Sequence, residues 1–477
     1  MATIAATPSS SILEGVPMEV LCSIFERMDI STVILSRLVC SSWKRLIDPF
    51  FVKASLKLTD ETYDFVRNCN LETNTMKVKN FSIDCSMEPR TISRNKLAKS
   101  AKHIIFAPSS SSASHGRKSI QENMTTILTL NPAIESLVFE ENSLKNIKSL
   151  SLRGIPFTRL TCLSVDFSYA TDSRVFLDFV DLRLPVLKSV QLSEYWSEYG
   201  PENGSGYFGM YRFLANHKRT LKFVTLVHPM RNTDIRAASN SPLTTRKFEA
   251  LKKDLSEIKL TSLYLYFVSI EGTGTFTLGG HLLQSQRSLT KLQVAIGGNY
   301  FYALAQVKEA ILANASTLEY VSILSHEQWG VYVNLSNTLS ALPVCCKLES
   351  FEVDHFFIPS LPSFPPSVKT LTISGYLLSD QILPQIDENL VNLEQLCYTD
   401  LSSYPYIHFE DIGHFNRILG LPRLKRIRVC KQHLTSEFEH FLDEHEGISW
   451  SEVAAEVTFR DNFLPFYEIT TNNNNNT

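Results

Sequence analysis

The chain has 477 residues, 44% hydrophobic and 20% charged, which is enough apolar material for packed cores and excludes a disordered chain. Its 46 Lys and Arg against 49 Asp and Glu leave a net charge of -3, which excludes gripping nucleic acid or anionic lipid as its general business. Nine scattered cysteines, never spaced Cys-x-x-Cys, signal neither a disulfide framework nor a zinc site and read as reduced thiols. Residues 1–12 are small and polar and are expected to be flexible. No stretch approaches the ~18 uninterrupted apolar residues of a membrane span, and the N-terminus lacks a secretory pattern, so the expected location is cytoplasmic or nuclear.

Residues 16–49 carry dense helical patterning. Pro17 suits a first helical turn, where its missing N–H costs nothing, and Glu19 suits the positive end of the helix dipole. Val20, Leu21, Ile24, Phe25 and Met28 then form one apolar stripe. Asp29 or Ser31 can cap a second helix through Val33, Leu35, Leu38 and Val39, and Ser41 or Ser42 a third through Trp43 and Leu46 that Pro49 ends. Helices this short bury too little surface to stand alone, and the surplus stripe calls for a partner.

Pro17, Glu19, Leu21, Ile24, Phe25, Asp29, Leu35, Arg37, Val39, Cys40 and Trp43 resemble an F-box, with Val16 where that family usually has Leu. The resemblance implies docking to a Skp-type adaptor and, through it, a cullin, with Val16, Pro17, Leu21, Ile24, Phe25, Leu35, Val39 and Trp43 as interface or internal core. The alternative is an N-terminal helical cap for a repeat array.

Such an array occupies most of the remaining chain. After a Ser-rich segment at 108–119, read as a solvated loop, one motif recurs: apolar, two others, apolar, one other, apolar. Its copies are IESLVF, LTCLSV, LKSVQL, LKFVTL, LTSLYL, LTKLQV, LEYVSI, LESFEV, VKTLTI, LEQLCY and LKRIRV, with weaker candidates VKNFSI and AKHIIF before and AAEVTF after. Each copy predicts a short strand buried on one face, and intervals such as TDSRVFLDFV, FYALAQVKEAILANA and FEDIGHFNRIL predict helices. One strand and one helix cannot bury both faces alone, whereas stacked copies can. These copies resemble leucine-rich repeats, though the usual Asn or Cys after the last apolar position is absent from most, and the intervals run from 20 to 39 residues. The expected fold class is therefore α/β: a short three-helix F-box at 13–58, an irregular leucine-rich-repeat horseshoe with a parallel concave sheet at 75–462, and a disordered Asn-rich tail at 470–477.

No catalytic constellation is found, and no cofactor or metal is called for. GSGYFG at 204–209 matches G-x-G-x-x-G, but a long loop separates it from the preceding strand and no acidic residue stands at the right distance after it, so it reads as a glycine-rich insertion before a helix. His440, Glu444 and His445 read as a solvated helix face. The residues flanking the last two apolar positions face the open side of the sheet. Among them Phe223, Tyr264, Tyr266 and Tyr320, with Lys291 nearby, then Glu352 and Asp354, and Arg426 and Arg428 toward the end, have the composition of a protein-binding patch. The competing explanation is that aromatics simply favour strands. Together the resemblances imply a non-catalytic adaptor that carries a protein substrate to ubiquitin transfer; a repeat scaffold acting outside ubiquitin transfer remains the alternative, as does an enzyme on a repeat scaffold.

Overall fold

The computed structural model describes residues 55–58, 80–84, 102–107, 117–140, 152–167, 173–193, 205–228, 242–267, 278–296, 301–325, 334–377, 379–400, 409–430, 436–445, 448–453 and 466–471, together with positions 20, 24, 141, 143, 144, 147, 149 and 150. The chain divides into two compact units, Met1–Leu187 and Lys188–Thr477.

In both units the strands begin two residues after the first apolar position of each motif, because the next two apolar residues alternate and can share one buried face. Across the eleven full copies no motif apolar residue is more than 2% exposed. In the first unit β1 (Ser55–Leu58), β2 (Asn80–Asp84), β3 (His103–Ala107), β4 (Ser136–Phe139) and β5 (Cys162–Asp166) pair in parallel, each with the next. Two helices, α1 (Arg117–Leu130) and α2 (Ser173–Val180), supply the other core layer, where Phe106 stacks on Phe139 at 4.9 Å and Phe139 meets Phe179 edge-on at 5.3 Å. Residues 55–58, expected at the end of the helical segment, form the first strand.

The second unit repeats strand then helix: β6 (Ser189–Ser193), α3 (Ser205–Asn216), β7 (Phe223–His228), α4 (Pro242–Ser256), β8 (Ser262–Phe267), α5 (Leu278–Ser285), β9 (Lys291–Ile296), α6 (Phe301–Ala313) and β10 (Tyr320–Ser325). It continues through α7 (Ser336–Leu339), β11 (Ser350–Ile358), β12 (Thr370–Leu377), α8 (Ser379–Asn389), β13 (Gln395–Asp400), α9 (Phe409–Leu419) and β14 (Arg426–Cys430). The strands from β6 to β14 are parallel in chain order, forming an open sheet in a mixed α/β unit. The helices show why they belong to the core: in α6, Ala303, Leu304, Val307, Ala310 and Ile311 fall on one stripe and all are buried.

The parallel order ends differently from the sequence expectation. After α10 (Ser436–Glu444) come β15 (Ile448–Val453) and β16 (Phe466–Thr471), and β16 lies antiparallel between β14 and β15. Thr470 and Thr471, expected in the tail, are strand residues, and AAEVTF lies outside the described residues. The glycine motif also differs: Ser205 opens α3, so Gly206 and Gly209 lie inside the helix rather than in a loop before it. No described helix is long and apolar enough to cross a membrane.

One peptide group per repeat sets the register. The carbonyl of Lys222 accepts the N–H groups of Thr261 (2.8 Å) and Ser262 (3.1 Å), and the same forked bond recurs from Thr261, Thr290, Glu319, Glu349, Lys369 and Glu394 to the next repeat. It also recurs in the first unit, from Lys102 and from Glu135. This peptide lies at the entry edge of the sheet, hereafter the rim, so the side chains at these positions line up there.

Candidate partner-binding surfaces

Of the expected docking residues, Val16, Pro17, Leu21, Phe25, Leu35, Val39 and Trp43 lie outside the described residues. Ile24 and its stripe neighbour Val20 are described: both are helical, one turn apart, and each is 47% exposed. Two aliphatic side chains held half in water on one helical face lose solvation free energy until something covers them.

The open sheet face carries the four expected aromatic residues on β7, β8 and β10, in three rows. Phe223, Ser262, Lys291, Tyr320 and Ser350 are in register across β7 to β11. The next row holds Thr225, Tyr264, Gln293, Ser322 and Glu352, and the third holds Val227, Tyr266, Ala295, Leu324 and Asp354. Of the four aromatic residues Phe223 is the most available to a partner, at 47% exposed. Tyr266 is not comparable: at 9% exposed it is buried with Ala295 and Leu324, and Tyr264 and Val227 pack against this cluster. The Tyr320 hydroxyl donates to Glu352 Oε2 at 2.5 Å. Burial, and then this carboxylate, push the Tyr320 hydroxyl above the usual phenol range, so it stays protonated and donating.

Beyond Asp354 the strand is kinked. His355 is an extra residue between Asp354 and Phe356 in the pairing with β12, and its φ of 62° is the left-handed conformation that costs a non-glycine residue about 1–3 kcal/mol. Gly375 on β12 makes the kink possible, because a Cβ there would come within 2.3 Å of the Phe356 carbonyl. Arg426 and Arg428 are not open to a partner in the way their sequence positions imply: their Nε atoms lie 3.3 and 2.9 Å from the two oxygens of Glu468 on β16.

Residues 13–53 match the family model of the F-box domain. The chain carries an F-box domain. F-box domains typically bind Skp-type adaptors, and F-box proteins are in general non-catalytic adaptors. The match covers the exposed pair Val20 and Ile24, and it stops before β1. No curated protein matches the chain.

Elsewhere in the chain, the motifs with an enzymatic look sit on ordinary structure among the described residues. His440 lies 3.2 Å from Glu444 across one turn of α10 with both side chains about 70% exposed, and His445 contacts Asn416 Oδ1 at 3.0 Å. Among the described residues no group of three or more His, Cys, Asp or Glu side chains is placed to hold a metal.

Two features were missed in the sequence. The first is a pair of buried amides. Gln286 Oε1 accepts the N–H of Leu260 at 3.0 Å, and Asn314 Oδ1 accepts that of Leu289 at 2.9 Å while its Nδ2 donates to the Gln286 carbonyl. Each stands three or four residues before a motif leucine, a spacing that could have revealed them. The second is a basic cavity of about 190 Å³ at the rim, lined by Lys218, Arg219, Leu221, Lys222, Glu257 and Lys259.

Proposed function

We propose that this F-box protein is the substrate-recognition subunit of an SCF-type cullin-RING ubiquitin ligase. The F-box docks a Skp-type adaptor and, through it, a cullin. The strand–helix units, taken as an irregular leucine-rich-repeat solenoid, hold a protein substrate on the open sheet face, and the complex works in the cytoplasm or nucleus. The gain in rate is proximity: tethering raises the effective concentration of substrate lysines without chemistry by this chain.

The observation that carries the reading is the F-box match over residues 13–53, within which Val20 and Ile24 leave an apolar helical face to water. For the substrate face the support is the exposed ring of Phe223 in register with Lys291 and Tyr320. Co-expression with a Skp-type adaptor and a cullin, followed by affinity capture, tests the reading. Wild type should capture both, and Pro17→Ala/Leu21→Asp should capture neither while keeping the circular dichroism spectrum of the repeats. Failure of wild type to capture would leave a repeat scaffold acting outside ubiquitin transfer.

A further inference from the structure

The basic cavity lies where α3 ends and β7 begins, against the same feature of the next repeat. Lys218 is already engaged: its Nζ is 2.7 Å from Asp254 Oδ1 and 2.7 Å from Glu257 Oε2. That one lysine occupies both nearby carboxylates, and they hold its pKa above the usual lysine range. Arg219 and Lys259 are exposed and have no ion pair among the described residues, and Lys222 Nζ reaches no acid, only the Lys259 carbonyl at 3.5 Å. The group therefore keeps two positive charges in excess. Lys188, also exposed, extends it by one strand, since its carbonyl accepts the Lys222 N–H.

The spacing says what kind of anion fits. Lys188 and Lys222 hold the same rim position on successive strands, about 5 Å apart, and Lys259 follows on the next repeat two residues before the corresponding position, Thr261, so the cations extend along the rim beyond the cavity itself. A row of that kind matches several carboxylates along an extended chain better than one compact tetrahedral anion. Phe223 adds the second term. It comes directly after Lys222 in the chain, at the start of β7, and is 47% exposed, so it offers an apolar surface at the end of the sheet face nearest the rim.

We propose that the rim from Lys188 to Lys259, with Phe223, is a docking site for an acidic, Asp/Glu-rich segment of a protein partner, one apolar residue of which packs on Phe223. Like charges held close without internal partners repel one another, and an acidic segment relieves that repulsion as it binds. The site deepens the reading of the sheet face as the partner-binding face and is independent of the F-box. Its failure would leave Skp-type capture untouched, and loss of that capture would leave this binding untouched.

Fluorescence anisotropy on the full chain tests it, using a dye-labelled peptide of six glutamates with a central leucine. Wild type should bind, with affinity falling at least tenfold between 50 and 300 mM salt on the order expected for screened surface charges. Lys222→Glu/Lys259→Glu should lose at least about tenfold and Phe223→Ser about threefold, whereas Lys347→Glu/Arg423→Glu, with the same change in net charge, should bind as wild type. If the reversal variant fails to fold by circular dichroism, Lys222→Gln/Lys259→Gln takes its place, with loss again expected. No binding by wild type, equal loss in both double variants, or tighter binding of inorganic phosphate, a phosphoserine peptide or phosphatidylserine vesicles would each overturn the proposal.

Discussion

The second unit contains two stretches that share a core and differ in how neighbouring repeats are joined. In the stretch from β7 to β10 the β8–β9 and β9–β10 joins are buried and polar: Gln286 and Asn314, at most 1% exposed, reach back to the backbone of the preceding repeat. From β11 to β14 the corresponding slots before the motif hold Cys345, Pro365, Leu390 and Leu421, and the polar joins move to the rim. There Glu349 pairs with Lys369 at 2.8 Å and Glu394 with Lys425 at 2.6 Å. A buried amide is costly to leave unmade, whereas an exposed ion pair is worth little. The first stretch thus gets its polar coupling from the interior and leaves Lys222 and Lys259 at its rim without an acidic partner among the described residues. The second pairs its rim charges with one another.

Leu263→Ala on β8 and Leu371→Ala on β12 should show what the two stretches have in common. Each removes a side chain no more than 1% exposed and should cost about 2–5 kcal/mol by urea denaturation. A much smaller loss in one stretch would mean that the cores are not equivalent.

Asn314→Ala should cost about 1–3 kcal/mol, because the Leu289 N–H and the Gln286 carbonyl lose a partner inside the core. Leu390→Ala, in a slot with no polar join, should lower the urea midpoint by a salt-independent packing loss and leave no backbone group newly unpaired. Hydrogen exchange at the Leu289 amide separates the two: it should quicken in Asn314→Ala alone.

At the rim the ordering reverses. Lys425→Ala should lower the melting temperature slightly, an effect that 1 M salt abolishes, while Lys222→Ala should leave it unchanged or raise it. The same pair gives the pH dependence. The Lys425 ammonium bonded to Glu394 holds that carboxyl below its ordinary range, so its folded pKa is lower than its unfolded one. Its contribution is complete above the unfolded value and is lost as pH falls through the folded one. A urea midpoint that falls below about pH 4.5 should do so less steeply in Lys425→Ala.

The smallest effect is chemical. Burial pushes the Cys345 thiol up to about 11, whereas Cys346 is exposed. An aromatic disulfide reagent at pH 8 should label Cys346 promptly and Cys345 only on unfolding, and equal rates would mean that the Cys345 slot opens in the native state.

Much of the strand framework was legible because its signal is local. Three apolar positions, of which the last two alternate, suffice to place a strand, and LKFVTL, LTSLYL and LEYVSI each became one two residues in. FEDIGHFNRIL became α9 in full. The antiparallel end was not legible, since pairing direction depends on where the chain returns rather than on any residue of β16. Glycine content pointed to a loop at 204–209, yet the apolar stripe of Met210, Phe213 and Leu214 carried the helix back across Gly206 and Gly209. On the candidate face, residue type identified the aromatic rows, but not that Tyr266 would be buried beside Ala295 and Leu324 while Phe223 stayed open. That difference is set by side chains on neighbouring strands, roughly 30 residues away in sequence.

The forked hydrogen bond at the rim has a consequence for how such a chain can change over time. Because one carbonyl fixes the alignment of each repeat on the last, the segment between two successive carbonyls is free to vary: 39 residues separate Lys222 from Thr261, and 20 separate Glu349 from Lys369. An inserted or deleted segment is absorbed within its own repeat and does not shift the later strands. Individual repeats can therefore gain or lose surface loops independently, and a protein built this way can change one interval while every other strand keeps its place.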